Sequence, residues 1–189
     1  ARLFAAGGAR VVVVDLDPAG AEGTAAAILA DGGEAVGLAV DVTDEAQVEA
    51  AVATAVERWG RLDCAHNNAG TSGTPAAFTD LSLHDWDAVV RLNLTGVFLC
   101  MKHELRVMDP AGRGAIVNTS SGAGVIGFPS LPHYVASKHI DSVRRHAPRA
   151  KLVFDTVDLH FLRAERQAQV EGGGAAGGSP RAPPGQEPG

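Results

Sequence analysis

The sequence contains few cysteines, few basic residues and no long apolar run, and each shortage excludes a class of protein. The only two cysteines, Cys64 and Cys100, lie in apolar stretches. We expect both to be buried free thiols, as in a reducing cytoplasm. No stretch of about 18 apolar residues occurs, so neither a transmembrane helix nor membrane binding is predicted. The net charge of -6 argues against nucleic-acid binding, which usually requires a basic face.

Signals for export and for metal binding are also missing. The chain does not begin with Met, and we expect the start of the natural chain to be missing. One basic residue before a very short apolar run does not make a signal peptide. The seven histidines show no metal-ligand spacing, so no metal site is predicted.

Short β-branched runs alternate with helical patterns along most of the chain. Residues 10–15 form a continuous apolar run that ends in an acid, typical of a parallel strand covered by helices on both faces. The alternation predicts an α/β fold with a doubly wound parallel sheet in three αβα layers. Strands are predicted at 10–15, 35–40, 62–66 and 114–119, and helices at about 18–30, 44–59 and 83–108.

Capping residues indicate where these helices begin and end. Asp17, followed by a proline, suits the start of the first helix, and Thr43 is predicted to open the second. Gly60 is predicted to end that second helix. Ser82 and Asp85 form a capping-box pair at the start of the third.

The character of the sequence changes after about residue 140. Basic residues and a proline follow without an apolar face, and a strand or a short helix is predicted from Val153 to Leu162. The last residues are almost wholly Gly, Ala, Pro and polar, and such a segment cannot bury enough apolar surface to offset its ordering entropy. We therefore expect a partial domain over 1–140, a divergent segment over 141–171 and a disordered tail over 172–189.

Tyr134 and Lys138 form a Tyr-x-x-x-Lys motif at the start of a predicted helix. Residues four apart share one helical face, so the phenol and the ammonium would point into one site. A free phenol ionises only near pH 10, but a nearby cation favours the phenolate. The pair therefore predicts general acid–base chemistry near neutral pH.

Other motifs accompany this pair in a fixed order. The segment 116–138, with Ser121 thirteen residues before the tyrosine, resembles the active-site segment of the short-chain dehydrogenase/reductase family. Asn67-Asn68-Ala69-Gly70 resembles that family's Asn-Asn-Ala-Gly signature, and Asn93 matches its helix asparagine. The resemblance covers roughly residues 1–139 and implies a Rossmann-type fold.

The resemblance also implies catalytic roles. Tyr134 would exchange a proton with the substrate oxygen, and Lys138 would favour the phenolate and hold the nicotinamide ribose. Ser121 would donate a hydrogen bond to the substrate oxygen; Ser120 is its rival, and the spacing favours Ser121. Asn93 would anchor a water relay, or else be a merely structural polar residue in its helix.

Asp15 ends the first visible strand, where in a dinucleotide fold an acid accepts hydrogen bonds from the adenosine ribose and repels a 2′-phosphate. NAD is therefore the expected cofactor, although Asp15 could instead be a helix N-cap. Besides Lys138, the resemblance implies further cofactor contacts at Asp41, Val42, Asn68, Ala69, Gly70 and Tyr134.

The implied activity is interconversion of a small secondary alcohol and a ketone. Intact family members form homo-oligomers through two helices, which match residues 83–108 and the helix of Tyr134 here. The family's glycine-rich phosphate loop is absent, however, and the match stops after Lys138, as a shifted reading frame or a misjoined exon would produce. The alternative is a non-catalytic remnant that acts at most as an interaction fragment.

Overall fold

The computed structural model describes residues 1–138 and the backbone of one further strand, residues 151–155. The predictions for the rest of 141–171 and for the tail 172–189 lie outside the described residues. The helices are α1 Arg2–Ala6, α2 Pro18–Ala30, α3 Glu45–Trp59, α4 Leu83–Val90, α5 Val97–Met108 and α6 Pro132–Lys138. The strands are β1 Arg10–Asp15, β2 Glu34–Ala39, β3 Cys64–Asn67, β4 Ala115–Thr119 and β5 Lys151–Asp155.

The strands form two parallel sheets, and the α/β prediction is confirmed. β1 pairs with β2, and β4 lies between β3 and β5. Within the described part of the chain, no ladder of hydrogen bonds joins β1 to β3. The parallel sheet is therefore present but divided, and in the described ranges β1 and β3 each pair with a strand along one edge only.

Helix packing holds the two sheets together. α3 packs against both β1 and α5, and α5 packs against β3. One apolar cluster forms between α3 and α5 around Val48, Ala51 and Leu99. A second forms beneath α5 around Met101 and Ile116.

Two expectations of burial are wrong. No residue of β1 is fully buried and Val14 is 39% exposed, because β1 lies in a sheet of only two strands. Cys64 is exposed at the start of β3, where only alternate residues face α5. Both thiols are free as predicted, and burial with the nearby Glu104 carboxylate raises the pKa of Cys100 to about 12.

The predicted capping residues are confirmed for two helices and wrong for one. The Asp17 side chain accepts from the amide of Ala19 at 3.1 Å, and Ser82 Oγ accepts from the amide of Asp85 at 3.1 Å. α3 is capped by Asp44 rather than by Thr43. The amide of Thr43 instead donates to Asp41 Oδ1 at 2.8 Å, which places Thr43 in the preceding turn.

The long helix predicted at 83–108 is interrupted by a π-helical turn, Arg91–Gly96, between α4 and α5. Such a turn inserts extra backbone into a helix and often marks a functional position. It contains Asn93. No helix in the described ranges is both long enough and apolar enough to span a membrane.

A buried carboxyl group lies under α5. Glu104 is 6% exposed, and its Oε2 accepts from Asn67 Nδ2 at 3.1 Å. The same Nδ2 donates to Asn118 Oδ1 at 2.9 Å, so α5, β3 and β4 share one polar network. Burial raises the pKa of Glu104 to about 7 because the ionised form loses its hydration.

We expect Glu104→Gln to stabilise the chain at pH 8 and to have little effect near pH 4.5. Between these values the folded state holds more protons than the unfolded state, so the free energy of unfolding falls as pH rises towards the folded-state pKa. Glutamine keeps an acceptor for Asn67 and cannot ionise. The gain at pH 8 should be roughly 2–3 kcal/mol, measured by urea denaturation. Equal effects at both pH values, or the same effect from the exposed Glu57→Gln, would contradict this explanation.

Candidate functional site

A small polar cavity opens where β3 and β4 end and α6 begins. Its volume is about 140 Å³. Four residues predicted for the site, Asn68, Gly70, Tyr134 and Lys138, line it. Three lining residues were not predicted: Thr71, Ser72 and Thr119. Thr119 ends β4 directly before the two candidate serines, and that position at the end of a parallel strand was the signal that could have identified it.

Lys138 projects into this cavity from α6. Its Nζ donates to the carbonyl oxygen of Thr119 at 3.1 Å and lies 5.8 Å from the centroid of the Tyr134 ring. The side chain is almost fully buried, and burial lowers its pKa because the ammonium loses hydration. The motif spacing of four therefore does bring the phenol and the ammonium to one site.

Asn93 lies behind the cavity wall, where its side-chain amide makes three hydrogen bonds. Its Oδ1 accepts from the amide of Thr71 at 2.8 Å, and its Nδ2 donates to the carbonyl of Thr71 at 2.8 Å. Nδ2 also donates to Ser137 Oγ at 2.9 Å. The side-chain amide thus bonds to both the N–H and the C=O of Thr71, as the backbone of a neighbouring strand would. Through Ser137 it also connects the loop of Thr71 to α6.

Ser121, two residues after the cavity residue Thr119, is buried and is not among the residues that line the cavity. Its Oγ accepts from the amide of Ala123 at 3.2 Å, which leaves the hydroxyl proton available to another acceptor. A short 3-10 turn, Gly122–Gly124, follows. A Cβ at Gly124 would collide with the carbonyl oxygen of Lys138, so glycine permits this turn to approach α6.

The other predicted cofactor residues lie outside the cavity. Asp15 is exposed at the end of β1, and its Oδ1 accepts from the amide of Asp17 at 3.0 Å. Asp41 supports the turn before α3, and Val42 contacts Gly96 of the π-helical turn. Ala69 is exposed between two cavity residues.

One histidine next to the site residues is fully buried. His133, directly before Tyr134, is fully buried, and neither ring nitrogen has a hydrogen-bond partner among the described residues. It packs against Gly73 in the loop that follows the cavity residues Thr71 and Ser72.

Within residues 1–138, no three His, Cys, Asp or Glu side chains are grouped to hold a metal ion.

Comparison with known proteins gives a consistent result. The family model for short chain dehydrogenase matches residues 1–142. Levodione reductase of Leifsonia aquatica is 41% identical over 138 residues, which cover 72% of this chain and 52% of the relative. The 3beta-hydroxysteroid dehydrogenase of Mediterraneibacter gnavus is 42% identical over 132 residues, with coverage of 70% and 48%.

Solved structures agree on the fold. A 3-ketoacyl-ACP reductase from Sinorhizobium meliloti 1021 superposes with a TM-score of 0.75 at 30% identity, covering 82% of this chain and 63% of that one. The chain spans about half the length of the curated relatives it matches.

We expect Asn93→Leu to destabilise the chain strongly. Leucine removes the partners of both backbone groups of Thr71 and the donor to Ser137 Oγ, which keeps only its bond to the carbonyl of Tyr134. Leaving such partly buried polar groups unpaired costs about 1–3 kcal/mol each. The free energy of unfolding should fall by roughly 2–4 kcal/mol in urea denaturation. The matched control is Thr95→Ala, an exposed residue of the same π-helical turn. A loss no larger than that of the control would show that Asn93 does not hold the loop.

Proposed function

Because the chain belongs to the short chain dehydrogenase family, we propose that it carries the proton-transfer site of an NAD-dependent oxidoreductase. The reaction is the interconversion of a secondary alcohol and a ketone. The observation that carries the proposal is the cavity itself, in which the buried ammonium of Lys138 and the ring of Tyr134 meet at the end of β4.

The residues present fit the nicotinamide end of such a cofactor. A buried ammonium, a threonine and an asparagine surround a cavity of about 140 Å³. At Gly70 a Cβ would lie 3.1 Å from Asn93 Oδ1 and 3.6 Å from Lys138 Nζ. Glycine, which has no Cβ, therefore leaves room at this position for a polar group of the cofactor to pack closely against the backbone. When bound, NAD would supply hydride transfer, while the protein supplies position and proton handling.

The chain's own residues would divide the proton chemistry. Tyr134 would exchange the proton with the substrate oxygen, and the Lys138 ammonium beside its ring would bind ribose hydroxyls. Ser121 Oγ accepts from the amide of Ala123, so its hydroxyl proton is available, and we propose that it is donated to the substrate oxygen, where it would stabilise developing charge. Asn93 fixes the loop and α6 around them.

A second copy of the chain is the proposed partner at the helix surface. Phe98 on α5 is 59% exposed and Leu94 in the π-helical turn is 41% exposed. These lie on the helix that the family uses for oligomers. The alternative is a non-catalytic remnant that acts at most as an interaction fragment.

We expect Tyr134→Phe to lower kcat by roughly two to four orders of magnitude, because the general acid is lost while the ring remains. Turnover is followed by NADH absorbance with levodione or a 3β-hydroxysteroid, the substrates named for two relatives. NADH affinity and the free energy of unfolding should stay close to the wild type. Full activity in the variant refutes the assignment of Tyr134. No saturable binding of NADH by the wild type up to about 1 mM supports the remnant instead.

We expect Asp15→Ser to change the preference between NADH and NADPH. The variant removes a carboxylate that accepts from the ribose and repels a 2′-phosphate, so the ratio of the two Kd values should shift towards NADPH by roughly tenfold. Asp17→Ser is the matched control, because it removes an equally exposed nearby charge and leaves a good helix cap. An equal shift in both variants would indicate a general charge effect and contradict the role of Asp15.

A further inference from the structure

Three side chains form a continuous chain of hydrogen bonds at the end of β3 and β4. His66 Nε2 lies 3.0 Å from Thr119 Oγ1, and Thr119 Oγ1 donates to Asn68 Oδ1 at 2.9 Å. Asn68 and Thr119 line the cavity, whereas His66 does not. We call this set the His66–Thr119–Asn68 chain.

The single hydroxyl proton of Thr119 fixes the direction of the whole chain. Because Thr119 gives this proton to Asn68, its oxygen must accept from His66, and the ring proton must be on Nε2. Because its Oδ1 accepts from Thr119, Asn68 has its Nδ2 protons available to donate to a group in the cavity. In the reverse direction His66 Nε2 would accept, Asn68 would donate to Thr119, and the cavity would receive an acceptor instead.

We infer that His66 is a positioning residue that, through Thr119, makes Asn68 a hydrogen-bond donor towards an oxygen of the bound dinucleotide. This inference rests on the proposed function of the cavity. The side chain of His66 is exposed on β3 and is not among the residues that line the cavity. The inference gives this histidine a role at the cavity through Thr119.

Thr119 also connects this chain to Lys138. Its carbonyl oxygen accepts from Lys138 Nζ at 3.1 Å, while its hydroxyl bonds to Asn68. Thr119 therefore bonds to two polar groups of the cavity, to Lys138 through its carbonyl oxygen and to Asn68 through its hydroxyl. Changing only the hydroxyl, with the carbonyl left intact, separates the two functions experimentally.

The first measurement needs no cofactor. In the 189-residue chain, long-range ¹⁵N–¹H NMR correlations of the neutral His66 ring should show the proton on Nε2 alone. In Thr119→Val the ring loses its acceptor, and the two tautomers should become mixed. A wild-type ring protonated on Nδ1, or a tautomer ratio unchanged by Thr119→Val, overturns the inference whatever the chain binds.

The second measurement is titration with NADH, followed by its fluorescence. Thr119→Val and His66→Phe should each weaken binding by roughly five- to tenfold, the value of one hydrogen bond. The double variant should be no weaker than either single one, because both break the same chain. Thr119→Ser and His66→Gln retain the hydroxyl and the Nε2-like donor, and they should restore binding to within about twofold.

The matched control is Cys64→Ser, which alters an exposed residue two positions before His66 on the same strand and should leave NADH affinity unchanged. Additive losses in the double variant, or failure of both conservative variants to restore binding, contradict the inference. Absence of NADH binding by the wild type contradicts the proposed function, and the tautomer result then still decides whether the chain runs in the stated direction.

Discussion

The side-chain amide of Asn93 is the interaction on which the rest of the site depends. It satisfies both backbone groups of Thr71 and the hydroxyl of Ser137, and at 1% exposure no water can replace it. The π-helical turn places this amide between the loop after β3 and the helix of Tyr134 and Lys138. The cavity walls therefore have a fixed separation because one buried group bonds to both.

At the ends of two neighbouring strands, polar groups bonded into the core alternate with polar groups that line the cavity. Asn67 and Asn118 are partners in the parallel register and both bond into the core beneath α5. The next residue in each case, Asn68 or Thr119, lies on the other side and lines the cavity. Adjacent residues thus contribute to a buried network on one side and to the lining of a cavity on the other.

The sequence predicts elements that depend on local patterns and misses those that depend on packing. β1 is evident from its valines, and Ser82 with Asp85 marks the start of α4, because these signals act within a few residues. The π-helical turn is not visible in the sequence, and neither is the contact that its Asn93 makes with a loop 22 residues away in the chain. The position of Thr119 at the end of β4 could have identified it, but its partners could not be predicted, because Asn68 and Lys138 come within bonding distance only in the assembled site.

The packing of α3 against α5 has a consequence for how the molecule opens. Among the described residues no strand ladder spans the two sheets, so their coupling passes through side chains alone. Proteins open locally in contiguous cooperative units. A boundary crossed only by side-chain contacts, without a hydrogen-bond ladder, is where one such unit is expected to end. β1, β2 and α2 can therefore fluctuate as one body while β3, β4 and the cavity stay closed, so Asp15 at the end of β1 and Tyr134 in the cavity belong to units that can open separately.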